Sequence, residues 1–256
     1  MSISLHEIGF SYGGREVLKN VSCTFDQGVV TGLIGPNGTG KTTLLKLASG
    51  ELKPGQGAIL LDSKPVRSMS AKARARRIAT VPQRAKLSFD FSVMDMVLMG
   101  RQPHLRRFER EGAKDNEIAM QAIERMGIAH LKDRNARALS GGEWQRVLIA
   151  RALCQQTDVI LLDEPVSNLD IRHQMEVLST IRELAHERKA AAVVVLHDLN
   201  LAAHYCDKLI LLSEGDIAAQ GSAGAVITPT LMKSVYGIDA SVEPDGDSVL
   251  LRPSYL

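Results

Sequence analysis

The sequence predicts an α/β fold: a mixed, mainly parallel sheet flanked by helices, joined to an antiparallel β subdomain and interrupted by an all-helical subdomain. Three observations predict it. Apolar runs at 29–34, 159–162 and 190–196 are long enough for strands buried on both faces, and each ends in a glycine-rich or polar turn. Residues 3–30 turn at Gly13-Gly14 between Ile3–Phe10 and Val17–Phe25, as antiparallel strands do. From 84 to 138 strand signals vanish, and methionine, arginine and helix formers take over. The chain therefore divides into a core of 1–83 and 155–230, a helical subdomain of 84–154, and a tail of 231–256. The tail carries a hairpin signal at Asp245-Gly246.

The first apolar run leads into Gly35-Pro36-Asn37-Gly38-Thr39-Gly40-Lys41-Thr42-Thr43, and a short helix to Ser49 follows, closed by Gly50. Strand, glycine-rich turn and helix form the geometry of a phosphate-binding loop. Glycines let successive N–H groups face one concavity, and the helix N-terminus adds its positive dipole end. Lys41 is expected to reach the β- and γ-phosphates, and the Thr42 hydroxyl to ligate Mg²⁺. The core is thus that of a P-loop NTPase.

Around that loop the chain reads in order. Tyr12 precedes the first break; beside a phosphate loop it is read as a stacking platform for a purine, although an aromatic there also suits strand core. Ala58–Leu61 is a short strand. Ser70 caps a helix over 71–77, whose Lys72, Arg74, Arg76 and Arg77 are expected to form a solvated face. Strand 78–81 ends in Pro82-Gln83. Ser92 caps a helix through Met99, the arginine-rich 100–112 reads as an exposed loop, and Ile118, Ala122 and Met126 mark a helix ended by Gly127. In Leu139-Ser140-Gly141-Gly142-Glu143, Ser140 and Glu143 form a capping box. Capping needs neither Gly141 nor Gly142, so this bare helix start is read as a second anion site.

Val159–Leu162 ends in Asp163 and Glu164. Asp163 is placed to hold Mg²⁺ opposite Thr42, and Glu164 to polarise water. Ser167-Asn168-Leu169-Asp170 leads into a helix with Ile171, Met175, Leu178, Ile181 and Ala185 on one stripe. The run 190–196 ends in His197, at the same sheet edge. Residues 209–219 read as a hairpin.

Composition narrows the classes. With 256 residues, 45% hydrophobic and 23% charged, the chain is ordinary for a globular protein, and a net charge of +2 gives no reason to expect nucleic acid. No run of 18 apolar residues suggests a membrane span, and the N-terminus lacks signal-peptide features. Cys23, Cys154 and Cys206 are scattered, which fits a reducing cytosol.

With these motifs in this order, the chain resembles the ATP-binding subunit of ABC transporters. Asn168 departs from the family, which has Ala there. The resemblance implies an ATPase coupled to transmembrane transport, with ATP and Mg²⁺ as its ligands. Two copies would sandwich two ATP molecules, each on one copy's loop and facing Ser140, Gly141 and Gly142 of the other. Asp170 would join the ATP-binding set; Lys41, Glu164, His197 and Gln83 would carry catalysis, with Gln83 sensing Mg²⁺ and water. A polytopic membrane permease would dock near Gln83 and residues 84–106, placing the subunit peripherally on the cytoplasmic face of the membrane. An extracytoplasmic solute-binding protein would complete the system. Residues 89–104 and 167–174 look like importers of iron–siderophore complexes, haem and cobalamin; iron-chelate import is the first expectation, with the other two as alternatives. Rival readings are a soluble ABC ATPase acting on ribosomes or DNA, an exporter cassette, and a GTPase, although no N-K-x-D motif is present.

Overall fold

Two sheets, meeting over one shared core, carry the chain. The structure is a computed structural model that describes residues 2–83 and 90–254. The first six residues of the segment 84–106, expected to meet a membrane partner, lie outside the described residues. Strands β1 (Ile3–Tyr12) and β2 (Arg15–Phe25) form the predicted antiparallel pair, followed by β3 (Val30–Ile34) and α1 (Lys41–Ala48). Then come β4 (Gln56–Leu61), β5 (Lys64–Pro65), α2 (Ala71–Ala75) and β6 (Ile78–Val81). The helical stretch holds α3 (Val93–Leu98), a 3₁₀ turn Met99–His104, α4 (Ala113–Arg125) and α5 (Gly141–Cys154). The core resumes with β7 (Val159–Leu162), α6 (Ile171–Arg188), β8 (Ala191–Val195), α7 (Leu199–Tyr205), β9 (Lys208–Ser213) and β10 (Asp216–Gly221). Short helices α8 (Ala223–Val226) and α9 (Pro229–Leu231) and a π-helical turn Met232–Tyr236 lead to the hairpin β11 (Ala240–Asp245) and β12 (Ser248–Pro253).

The main sheet has the order β10-β9-β3-β8-β7-β6 and is parallel except at β10; the other runs β2-β1-β4-β5. Apolar runs are needed because each central strand feeds two cores. Val30, Ile34, Ile160, Leu162, Ala192 and Val194 face the helical side. Leu33, Val159, Leu161, Val193 and Val195 face α1 and the antiparallel sheet. Each fully buried Leu or Val contributes on the order of 2 kcal/mol, so this double burial fixes the register.

Three expectations change. The cations of 71–77 are not a free solvated face: Lys72 donates to the Leu105 carbonyl, and Arg76 to those of Pro103 (2.7 Å) and His104 (3.3 Å). Arg77 pairs with Asp158 and Asp62, joining the two sheets. The stretch 100–112 is not an exposed loop throughout: Gly100 is buried and Arg101 is only 7% exposed. A Cβ at Gly100 would lie 2.3 Å from the Arg151 carbonyl, so the turn lies against α5. The predicted stripe of α6 is buried only from Leu178 onward; Ile171 and Met175 are exposed. Periodicity marks a helix there, but the body of the protein does not extend under its first turn.

Arg101 fills the place a hydrophobe would otherwise take. Its Nε donates to Asp115 (2.9 Å) and its Nη1 to the Cys154 carbonyl (2.9 Å), tying together α4, α5 and the 3₁₀ turn. Arg101→Ala leaves both acceptors without that donor and is expected to lower unfolding stability by about 3 kcal/mol in urea titration; Asp163-dependent nucleotide chemistry should remain in the folded fraction.

Candidate active site

The site forms where four parallel strands end side by side. In register, Val81 lies opposite Leu162, Leu162 opposite Val194, and Val194 opposite Gly32. Gln83, Asp163, Glu164, His197 and Gly35 follow within three residues of those positions. One sheet edge therefore gathers all five, at the carboxyl ends where open α/β sheets bind ligands.

The loop can sit there only with glycine at its ends. Gly35 has φ 143° and a Cβ on it would stand 2.2 Å from the Leu212 carbonyl; Gly40, at φ 100°, would collide with Leu18. Lys41 is buried. Its ammonium donates to the carbonyls of Gly35 (2.7 Å) and Pro36 (2.8 Å), so it arches back over the loop with its third hydrogen free for a phosphate oxygen. Thr39 braces the same turn, donating to Pro36 (3.0 Å). Burial lowers the Lys41 pKa, an effect that Glu164 and Asp163 oppose.

Thr42 Oγ1 donates to Asp163 Oδ1 at 3.1 Å. Burial raises the Asp163 pKa, the Thr42 hydrogen bond lowers it, and Glu164 raises it further. The two oxygens are hard donors, and Mg²⁺ commonly takes one or two such protein ligands and completes its shell with phosphate and water. The pair therefore fits the ion.

Glu164 sits at φ 51°, in the left-handed region that a non-glycine residue rarely occupies. That kink turns its carboxylate out of the strand line. Oε2 accepts from Gln83 Nε2 (2.6 Å) and Oε1 meets His197 Nε2 (2.7 Å). The carboxylate thus separates two hollows. A cavity of 840 Å³ is lined by Tyr12, Asn37 to Thr43 and Glu164; a smaller one of 260 Å³ is lined by Glu164, Ser167, His197 and Asp198. Tyr12 stands at the far end of the large cavity, half exposed and edge-on to Phe10 at 4.7 Å.

The remaining expected residues lie elsewhere. Ser140 caps α5, with Glu143 returning the capping bond to Ser140 N–H (2.7 Å). Asp170 caps α6 and also meets His173 Nδ1 at 2.8 Å. Neither they nor Gly141 and Gly142 line the phosphate-loop cavity. The two glycines differ. A Cβ at Gly142 would stand 3.1 Å from the Leu169 side chain and 3.4 Å from the Asn168 carbonyl, so packing against 168–169 is tight there. At Gly141 a Cβ would meet nothing within 4 Å. Its bareness serves no contact with any described residue.

Sequence reasoning missed Arg15, Glu16, Lys19 and the turn Glu214-Gly215, which wall the large cavity beside Tyr12. They arrive through a bond from Lys19 N–H to the Gly215 carbonyl (2.9 Å) between distant hairpins, and no local spacing announces it.

This fold and site define a P-loop ATPase cassette. Comparison with known proteins gives the family. The ABC transporter family matches residues 18–167. Hemin import ATP-binding protein HmuV of Bordetella pertussis is 44% identical over 250 residues, 94% of each chain. Cobalamin import ATP-binding protein BtuD of Halobacterium salinarum is 39% identical over 245 residues, 96% of this chain and 61% of that one. A solved ABC transporter structure described as of metal-chelate type, in an inward-facing conformation, superposes with a TM-score of 0.84 at 30% identity, covering 99% and 98% of the two chains. The chain belongs to the ABC transporter family, as an ATP-binding subunit. Among the described residues no helix is long and apolar enough to cross a membrane.

Asp163 gives a test that separates folding from chemistry. Its raised pKa means that the folded state disfavours the charged form. The stability tied to this group is full below the ordinary carboxylate range and is lost as pH rises through the folded value. Asp163→Asn is therefore expected to melt above the wild type at pH 7 without nucleotide, the gap closing toward pH 4, while ATPase activity falls at least a hundredfold. Differential scanning calorimetry across that pH range checks it.

Proposed function

We propose that this chain is the ATP-hydrolysing subunit of an importer for a metal chelate, with two copies closing on two ATP molecules. The observation that carries the reading is the 44% identity, along 94% of both chains, with a hemin import ATP-binding protein. Haem is accordingly the first solute to test, and a ferric siderophore, expected from residues 89–104 and 167–174, the second. Cobalamin is a further reading, favoured by the 39% identity with BtuD.

The residues support a definite division of labour. Lys41 and the loop amides neutralise charge on the transferring phosphoryl group. Thr42 and Asp163 hold Mg²⁺, which supplies further neutralisation of phosphate charge when bound. Glu164 accepts the proton of the attacking water, and Gln83 orients that carboxylate through Oε2. His197 passes from Oε1 to the γ-phosphate. Tyr12 stacks on the adenine. The open face at Gly141 is met by the γ-phosphate on the other copy's loop, so a nucleotide joins two helix N-termini from different chains. ATP binding then closes the dimer and hydrolysis opens it. A permease docks near Gln83 and residues 84–106, holding the subunit on the cytoplasmic face of the membrane, and an extracytoplasmic binding protein delivers the solute. Because Gln83 touches Glu164, docking there and hydrolysis share one hydrogen bond.

Two experiments test this. Glu164→Gln keeps ATP affinity, loses about a hundredfold or more in turnover, and traps an ATP-bound dimer on size exclusion; adding Ser140→Arg abolishes that dimer while monomer folding persists. A dimer that survives Ser140→Arg refutes the in-trans site. Detergent extraction of the tagged chain brings down a polytopic membrane protein, and vesicles containing the complex take up haem in an ATP-dependent manner. Recovery of the chain with no membrane protein refutes the transporter reading; uptake of a ferric siderophore or cobalamin in place of haem reassigns the solute alone.

A further inference from the structure

The tail beyond β10 has no part in the chemistry above, yet it touches both ends of the site. At one end the half-buried Tyr236 phenol, pushed up to about 12 by burial, interacts with the backbone of Gly35, the first residue of the phosphate loop, which lowers it in part. At the other end the hairpin β11–β12 docks on α7, the helix that begins just after His197. The contact is specific. Asn200 Oδ1 accepts from the Leu251 N–H (2.8 Å) and Asn200 Nδ2 donates to the Leu251 carbonyl (3.2 Å). One carboxamide thus plays the part of a neighbouring strand residue and satisfies both backbone groups that Leu251 turns away from β11. One turn along, Ser248 Oγ donates to the Ala203 carbonyl (2.7 Å). Leu251 is buried, and Val242 and Val249 pack on the core that contains Leu199, Ala202 and Ala203.

α7 is only seven residues long, too short to hold itself in water. Asp198 caps it, accepting from Asn200 N–H (2.9 Å) and Leu201 N–H (3.0 Å). The His197 ring is half exposed, with Glu164 as its polar contact. Its position is therefore set by the backbone on either side: β8 before it, and after it the short helix α7, bolted to the hairpin three residues away.

We infer that the C-terminal hairpin is a positioning element of the ATPase, and that Asn200 is the positioning residue through which it fixes His197. The inference rests on the proposed contact of His197 with the γ-phosphate. It assigns the tail a role in turnover and leaves nucleotide affinity to the phosphate loop.

Steady-state ATPase of the full chain, alone and with its membrane partner, tests it. Asn200→Leu removes both bonds at similar volume and is expected to lower kcat about tenfold while KM for MgATP stays within twofold. Asn200→Asp keeps the acceptor for the Leu251 N–H and recovers part of the loss. Removal of residues 240–256 reproduces the Asn200→Leu effect, and the two combined do no more than either alone; this arm decides the matter if Asn200→Leu folds poorly. In a His197→Ala background Asn200→Leu has no further effect. A kcat within twofold of wild type for Asn200→Leu, or an equal extra loss on the residual turnover of His197→Ala, overturns the inference while His197→Ala itself still lowers turnover. Normal turnover by His197→Ala refutes the role of His197 itself.

Discussion

Strand β8 lies between β3 and β7, and the chemistry of the site depends on that adjacency. The loop after β3 carries Lys41 and Thr42; the tip of β7 carries the acids; the tip of β8 carries the histidine. With any other order, Glu164 Oε1 and His197 Nε2 would not stand 2.7 Å apart. The order is secured by burial on both faces of each strand, because a slip by one residue would exchange the two cores. The residues that fix the register are therefore the apolar ones behind the site.

The edge so formed is electrostatically uncomfortable by itself. Burial lowers the pKa of Lys41 and raises that of Asp163, each shift disfavouring the charged form. Glu164 adds backbone strain at φ 51°. Under the proposed function, the groups that meet phosphate and its cation are held partly dry in advance, and the surrounding packing bears the cost. Such sites gain rate because little must reorganise at the moment of reaction. They lose stability for the same reason, so the hydrophobic register behind them has to be over-determined.

What was legible in the sequence follows from range. Gly35 to Thr43, Ser140 to Glu143 and Asp163-Glu164 encode their geometry within a few residues: positive φ, a capping box, a strand tip. Their placement could be read directly. Contacts across the chain could not. Lys72 and Arg76 look like any solvated basic face until the carbonyls of 103–105 come against them, and Arg101 looks exposed until Asp115 and Cys154 close over it. Ile171 and Met175 fail in the opposite sense, because periodicity reports a helix face and is silent on where the protein ends beneath it. The walls at Arg15, Lys19 and Glu214 were invisible for want of any motif.

Gly141 and Gly142 draw the sharpest line between fold and function. Both weaken a helix start, and both sit behind Ser140. Gly142 has a reason within the chain, since a methyl group there would crowd Leu169 at 3.1 Å. Among the described residues nothing stands where a Cβ on Gly141 would reach. A residue kept bare at a helix N-terminus, facing open space and outside the cavity that holds the phosphate loop, makes sense when its ligand arrives from another molecule. The ligand that suits exposed N–H groups and a dipole end is an anion. An anion presented by a second molecule, in a chain whose own anion site is built for a triphosphate, is most simply the end of that triphosphate on a second copy. Under the proposed function the phosphate loop is half of a site, and Ser140, Gly141 and Gly142, outside its cavity, supply the half for a second copy.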